Sequence, residues 1–251
     1  MFNIVFNIFF IVGLVYFFIY YSELKMFLSK LFEILGIVFI IYGIDWFWKI
    51  FYFGVDVEIR KFIIDILIFG RNLILGSVGI FFLNKKGYLT LPLYLNFKYE
   101  KENLSSYVFP IFISIFLLFL ITIALLILSS SPILNANDIN FSIIIDSINR
   151  SIIVATGEEV YFRLFLQSLL IYWFSYLKIG NFFSIIVVSL LWALTHAGII
   201  ESGGLKFIQI FLFGIILGIL MYKRGFESCL FVHFIFNLLS YLFLGSFRVI
   251  S

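Results

Sequence analysis

Charge is what this 251-residue sequence has least of: Asp, Glu, Lys and Arg make up 12% of it, about half the share of a soluble domain. A chain so poor in charge, and 63% hydrophobic, lacks the polar surface that an aqueous globule needs. Cysteine is almost absent. The lone Cys229 excludes an intramolecular disulfide and any multi-cysteine metal cluster. Proline occurs three times, too rarely for a linker-rich or disordered chain. The formal net charge of +3 is small and falls in membrane-flanking loops, so a nucleic-acid partner has no electrostatic footprint.

What is present in quantity is apolar and aromatic, with 36 Phe and 14 Tyr. A bilayer core needs about 20 apolar residues per helix. Runs of that kind, separated by charged or turn-forming clusters, fall at residues 2–21, 31–53, 62–83, 107–128, 143–176, 181–200, 205–222 and 226–247. The sequence therefore predicts an all-α, polytopic membrane helix bundle of about eight transmembrane helices. It is one compact bundle, with N-terminal helices over 1–140 and a polar-residue-bearing core over 141–251. The first run has no basic region before it and no small-residue cleavage site, so it reads as a retained helix rather than a signal peptide. The fifth is too long for one perpendicular span; it either begins as an interfacial segment around Phe141–Arg150 or tilts strongly. Lys and Arg favour the odd-numbered loops, Lys85, Lys86, Lys98 and Lys101 among them. Basic residues stay cytoplasmic, which places both termini outside and the Lys85–Lys101 loop in the cytoplasm. The expected location is a multi-pass position in a cell membrane, and the Phe/Ile/Asn-rich composition suggests a bacterial one.

The informative residues are the polar ones inside the apolar runs, because a charge at bilayer depth costs at least about 2.5 kcal/mol. In the first half these are Asp45, Lys49, Asp65, Arg71 and Asn72. Asp45 and Lys49, four apart, read as an ion pair on one helix face. The second half is richer. Glu158, Glu159 and Arg163 share one run, and both histidines of the chain, His196 and His233, lie in later ones. Glu159 and Arg163, Trp192 and His196, and His233 and Asn237 are each four apart, so each pair shares a helix face. Two carboxylates, two imidazoles and a carboxamide can then converge on one buried polar pocket. A buried Glu beside an imidazole is a credible base for activating water. Imidazole and carboxamide N–H groups suit the oxyanion that forms when that water attacks an amide carbonyl. Packing is the competing explanation, since His and Asn also bind membrane helices together.

Glu-Glu-x-x-x-Arg, then an aromatic before a His, then His-x-x-x-Asn, in that order on successive apolar runs, resembles the CPBP family of intramembrane proteases, also called the Abi family. That family includes the type II CAAX prenyl endopeptidases and bacterial bacteriocin-processing or self-immunity proteins. The resemblance covers roughly Arg150–Tyr241. It implies that Glu158 is the base activating the water, that His196 helps to hold that water, and that His233 and Asn237 form the oxyanion site. Glu159 and Arg163 match the rest of the first motif, and as a membrane ion pair they would fix Glu158. The family's second motif usually begins with Phe where this chain has Trp192, an exchange that keeps a large aromatic. A glutamate-dependent and a metal-dependent mechanism both remain open. Glu158, His196 and His233 would be the ligands of a zinc ion, although no His-Glu-x-x-His spacing is present.

The implied substrate is a membrane-embedded or lipidated peptide or protein, met in the lipid bilayer. A different class of function, non-enzymatic bacteriocin immunity or a scaffold role on the same fold, is compatible with the same motifs. An ion- or proton-coupled transporter would also place Glu and His at mid-membrane. Helix rise puts Glu158 about 27 Å and His196 about 22 Å from the cytoplasmic ends of their runs, but His233 only about 10 Å from its own. Those depths coincide only if the last helix starts deeper or a boundary moves. Gly203-Gly204 reads as a tight loop, Gly214 and Gly218 as a close helix contact, and Ser129–Pro132 as a turn. Cys229 reads as a small membrane-facing residue; as a nucleophile it would have only His233 for a base.

Overall fold

A computed structural model of the protein describes residues 2–25, 27–29, 31–32, 35–36, 38–40, 43, 59–86, 104–128, 141–196 and 203–243. The architecture is all-α, as expected. Among the described residues the chain runs through α1 (Phe2–Ile19), α2 (Ile59–Lys85), α3 (Leu104–Leu128) and α4 (Phe141–Glu159), with a further helical segment at Tyr21–Ser29. α4 runs without a break into a π-helix over Val160–Gln167 and then into α5 (Ser168–Trp173). The described residues finish with α6 (Gly180–His196), α7 (Gly203–Arg224) and α8 (Phe226–Phe243). The long apolar run at 143–176 is thus one continuous helix as far as Trp173, its middle underwound to the wider π turn. Asp45, Lys49, the Ser129–Pro132 turn and most of the 31–53 run and of the Lys85–Lys101 loop lie outside the described residues, as does the side chain of Asp65.

Length and composition make three described helical segments able to cross a bilayer: Ile66–Lys85, Val108–Leu125 and Gly204–Arg224. Asn7–Ile19 and Tyr21–Ser29, bent by 93°, would make a fourth as a pair. Gly180–His196 and Phe226–Leu242 are apolar but shorter. α3 shows what solvent the fold expects. Phe109, Phe112, Phe116, Leu120, Ile123 and Ile127 stand exposed at helical spacing while Ser114 and Thr122 point inward. That is the reverse of a water-facing helix. The inward hydroxyls bond back to carbonyls one turn earlier, Ser114 to Pro110 at 2.7 Å and Thr122 to Leu118 at 2.8 Å, so neither is left unsatisfied.

The π-helix is the centre of the bundle: every residue from Val160 to Ile171 is buried. α2 and α4 pack against it, α1 lies on α2, α4 on α8, and α6 on α7, while α3 closes the side formed by α7 and α8. α2 approaches through Gly79, where a Cβ would overlap the carbonyl oxygen of Leu164. Only a glycine lets the two backbones come so close. Gly214 and Gly218 make the close contact expected of them: added Cβ atoms would fall 2.7 Å from the Ser189 Cβ and 2.8 Å from the Ile185 Cγ2 of α6. Gly203 and Gly204 instead begin α7 itself, so their expected loop ends earlier. Between α7 and α8 the chain reverses at Gly225, whose φ of 92° is a left-handed conformation suited to glycine. Its N–H closes α7 on the Met221 carbonyl at 3.0 Å, and α8 starts at once. That turn sets where His233 falls.

Candidate active site

Glu158 and Glu159 end α4, and adjacent helical residues point about 100° apart. The two carboxylates therefore serve different neighbours. Glu158 faces α6. Its Oε2 accepts a hydrogen bond of 2.8 Å from the Trp192 indole N–H, and its Oε1 lies 3.6 Å from His196 Nε2. His196 is oriented by its own helix, because Nδ1 lies 3.0 Å from the Trp192 carbonyl. A carbonyl can only accept, so Nδ1 carries a proton, and Nε2 is the ring nitrogen turned towards Glu158. The Thr195 hydroxyl donates to the same carbonyl at 2.6 Å and sits 3.1 Å from Nδ1, reinforcing that orientation.

Glu159 faces α8. Its Oε1 lies 2.7 Å from His233 Nδ1, and its Oε2 accepts from the Cys229 thiol at 3.3 Å. The same Oε2 stands 3.5 Å from Arg163 Nε, an ion pair four residues along the chain. Arg163 is wholly buried. Its Nε, Nη1 and Nη2 have no hydrogen-bond partner among the described residues, and its guanidinium carbon lies 4.9 Å over the Trp192 ring. That face supplies the negative side of the indole quadrupole to a cation that water cannot reach.

Trp192 stands between the two pairs. It is 2% exposed and meets His196 and His233 edge-to-face, with ring centroids at 5.8 and 5.5 Å. The pocket expected to hold five polar groups is thus divided. On one side, the side chains of Glu158 and His196 are 26% and 24% exposed. On the other, those of Glu159 and His233 are 1% and 6% exposed. Asn237, one turn beyond His233, is half-buried and has no hydrogen bond among the described residues. His233 and Glu159 meet although they lie at unequal distances from their helix ends, so those ends are not level across the bundle.

Two sequence readings change. Cys229 does not face the membrane; it is fully buried, and its thiol is given to Glu159 and to the Phe226 carbonyl at 3.0 Å. The expected base for a cysteine nucleophile, His233, is turned to Glu159 instead. Trp192 is more than a large aromatic, since its N–H engages Glu158; the signal in the sequence was an indole four residues before His196 on the same face. Arg71 and Asn72 of α2 pair with each other, the guanidinium donating to Asn72 Oδ1 at 3.1 and 3.3 Å. The Arg71 guanidinium carbon also lies 5.6 Å over the Tyr161 ring. As a zinc set, Glu158, His196 and His233 are not gathered: among the described residues no three His, Cys, Asp or Glu side chains are grouped to hold a metal ion.

Residues 140–239 match the family described as type II CAAX prenyl endopeptidase Rce1-like. The sporulation-killing factor biosynthesis protein SkfC of Bacillus subtilis (strain 168) is 42% identical over 93 residues, which is 36% of this chain and 18% of that protein. The chain thus matches under a fifth of that relative's length. No solved structure matches the chain. The resemblance to the CAAX-type membrane proteases holds over residues 140–239, the segment that carries both carboxylate pairs and Trp192.

Proposed function

We propose that the protein is an intramembrane endopeptidase that hydrolyses a peptide bond of a membrane-embedded or lipidated substrate with a water activated by Glu158. The observation that supports this most is the unequal access to the two pairs. Glu158 and His196 are each about a quarter exposed and their facing atoms lie 3.6 Å apart, whereas Glu159 and His233 are closed off. In the neutral His196 ring Nε2 is an acceptor like Glu158 Oε1, so one water gives a hydrogen bond to each. As its oxygen attacks the carbonyl carbon, Glu158 takes the proton. The C–N bond then breaks as Glu158 returns that proton to the leaving nitrogen, giving a carboxylic acid and an amine.

His233 and Asn237 are the proposed donors to the oxyanion. With Nδ1 given to Glu159, His233 donates through Nε2 only when the ring carries both protons, and Glu159 supplies the balancing charge. Glu159 thereby has a role in chemistry through His233 and in stability through Arg163. The relative is named for the biosynthesis of a sporulation-killing factor; for this chain, the substrate we propose is a peptide precursor maturing at the membrane. The test is a comparative proteomic search for membrane peptides that accumulate uncut in a Glu158→Ala strain. A precursor that builds up there and in a His196→Ala strain supports the reading. No accumulation under any growth condition favours an immunity or scaffold role instead.

A further inference from the structure

We infer that Trp192 is a positioning residue for hydrolysis, holding the Glu158 carboxylate through its indole N–H and, with its own backbone carbonyl, fixing the tautomer of His196. This rests on the reading of Glu158 as the base. One residue thereby aligns both acceptors of the attacking water. The N–H bond to Oε2 is 2.8 Å long, in the range of a charge-assisted hydrogen bond. By occupying Oε2 it leaves Oε1 as the oxygen directed at His196 and at the water. The carbonyl bond to His196 Nδ1 at 3.0 Å puts the proton of the neutral ring on Nδ1, so that in this tautomer Nε2 is the acceptor aimed at the same place.

The indole is held from several sides, which is what a positioning group requires. It is buried, carries the Arg163 guanidinium over its ring, and packs against Phe162 at 6.2 Å and both histidines edge-to-face. A phenyl ring at this position would fill much of the same space and offer no donor. The carboxylate of Glu158 would then lose its only fixed hydrogen bond from a neutral group among the described residues. The exchange of the usual Phe for Trp is therefore a functional change, and it adds a hydrogen bond to the base.

Trp192→Phe isolates the N–H, because the backbone carbonyl that holds His196 is kept. Two measurements decide the matter. In protein labelled with isotopic tryptophan and held in detergent micelles, Glu158→Gln should shift one indole N–H signal, the one that Trp192→Phe removes. The signals of Trp46, Trp48 and Trp173 should stay in place. That arm needs no substrate. In peptide cleavage, Trp192→Phe should lower kcat by about 10- to 100-fold, the loss expected of one charge-assisted hydrogen bond. KM should stay within about twofold, as for a group acting on the reacting atoms rather than on binding. An indole signal indifferent to Glu158 overturns the bond. A wild-type kcat in Trp192→Phe, or a loss that appears only in KM or in thermal stability, overturns the positioning role. A wild type that cleaves no peptide defeats the hydrolytic reading itself, whatever the indole signal shows.

Discussion

Replacing Glu159 with Gln removes one negative charge from a place that water does not reach. The carboxylate there meets two donors, His233 Nδ1 at 2.7 Å and the Cys229 thiol at 3.3 Å, and pairs by charge with Arg163, whose Nε lies 3.5 Å away without a hydrogen bond. An amide keeps one acceptor oxygen and turns the other into an NH2 group, so at least one donor is set against a donor. Arg163, wholly buried, is left without its counter-charge. Breaking a buried pair from one side costs about 3 to 5 kcal/mol. The lower end applies here, because the Trp192 ring 4.9 Å from the guanidinium remains in place. For a chain of this size each kcal/mol moves Tm by about 2 to 4 °C, so roughly 3 kcal/mol corresponds to a fall of about 6 to 12 °C. In the double variant Glu159→Gln with Arg163→Gln both charges are gone, and about half of that loss should be regained through the coupling between neighbours. Thermal unfolding in detergent, followed by circular dichroism, reads both. A single variant melting within about 2 °C of wild type, or a double variant melting no higher than Glu159→Gln alone, refutes the ion pair as a source of stability.

Gly79→Ala forces α2 away from the Leu164 carbonyl and should cost about 3 kcal/mol, the upper end of overpacking because the obstacle is backbone; a detergent melting curve checks it. Cys229→Ala should leave peptide cleavage within about threefold of wild type, because a buried thiol that donates to Glu159 and the Phe226 carbonyl and has no free imidazole base beside it, His233 being turned to Glu159, is no nucleophile, and abolished cleavage in a folded variant would revive the cysteine mechanism. Asn237→Ala should lower kcat by about 10²- to 10³-fold, the range for loss of one oxyanion donor, with the melting temperature little changed since no hydrogen bond among the described residues depends on it. Steady-state cleavage of the same peptide by the three proteins is the measurement.

The helices were legible because a bilayer imposes length and apolarity on every segment that crosses it. Leu104–Leu128 and Gly203–Arg224 fall within three residues of the runs at 107–128 and 205–222. The π-helix was not legible. Its wider turn over Val160–Gln167 comes with the packing of Gly79 against the Leu164 carbonyl, a contact between segments 85 positions apart, and no local pattern encodes it. Spacing also showed which residues share a face, but not which partner that face meets. Glu158 and Glu159 read as members of one pocket; their different directions give one to His196 and the other to His233. The donor role of Trp192 was missed for the same reason, since a helix face says nothing of the carboxylate across from it.

The central claim is that Glu158 moves the proton of the attacking water. Wild-type protein, Glu158→Gln and His196→Ala, purified in detergent, should be compared on a pool of lipidated and transmembrane peptides in heavy-oxygen water, with products identified by mass spectrometry. The account expects wild type to produce new C-termini carrying one solvent oxygen. It expects Glu158→Gln to lose about 10²- to 10⁴-fold in rate, the share a positioned base supplies, while remaining folded. Equal cleavage by wild type and Glu158→Gln would contradict it.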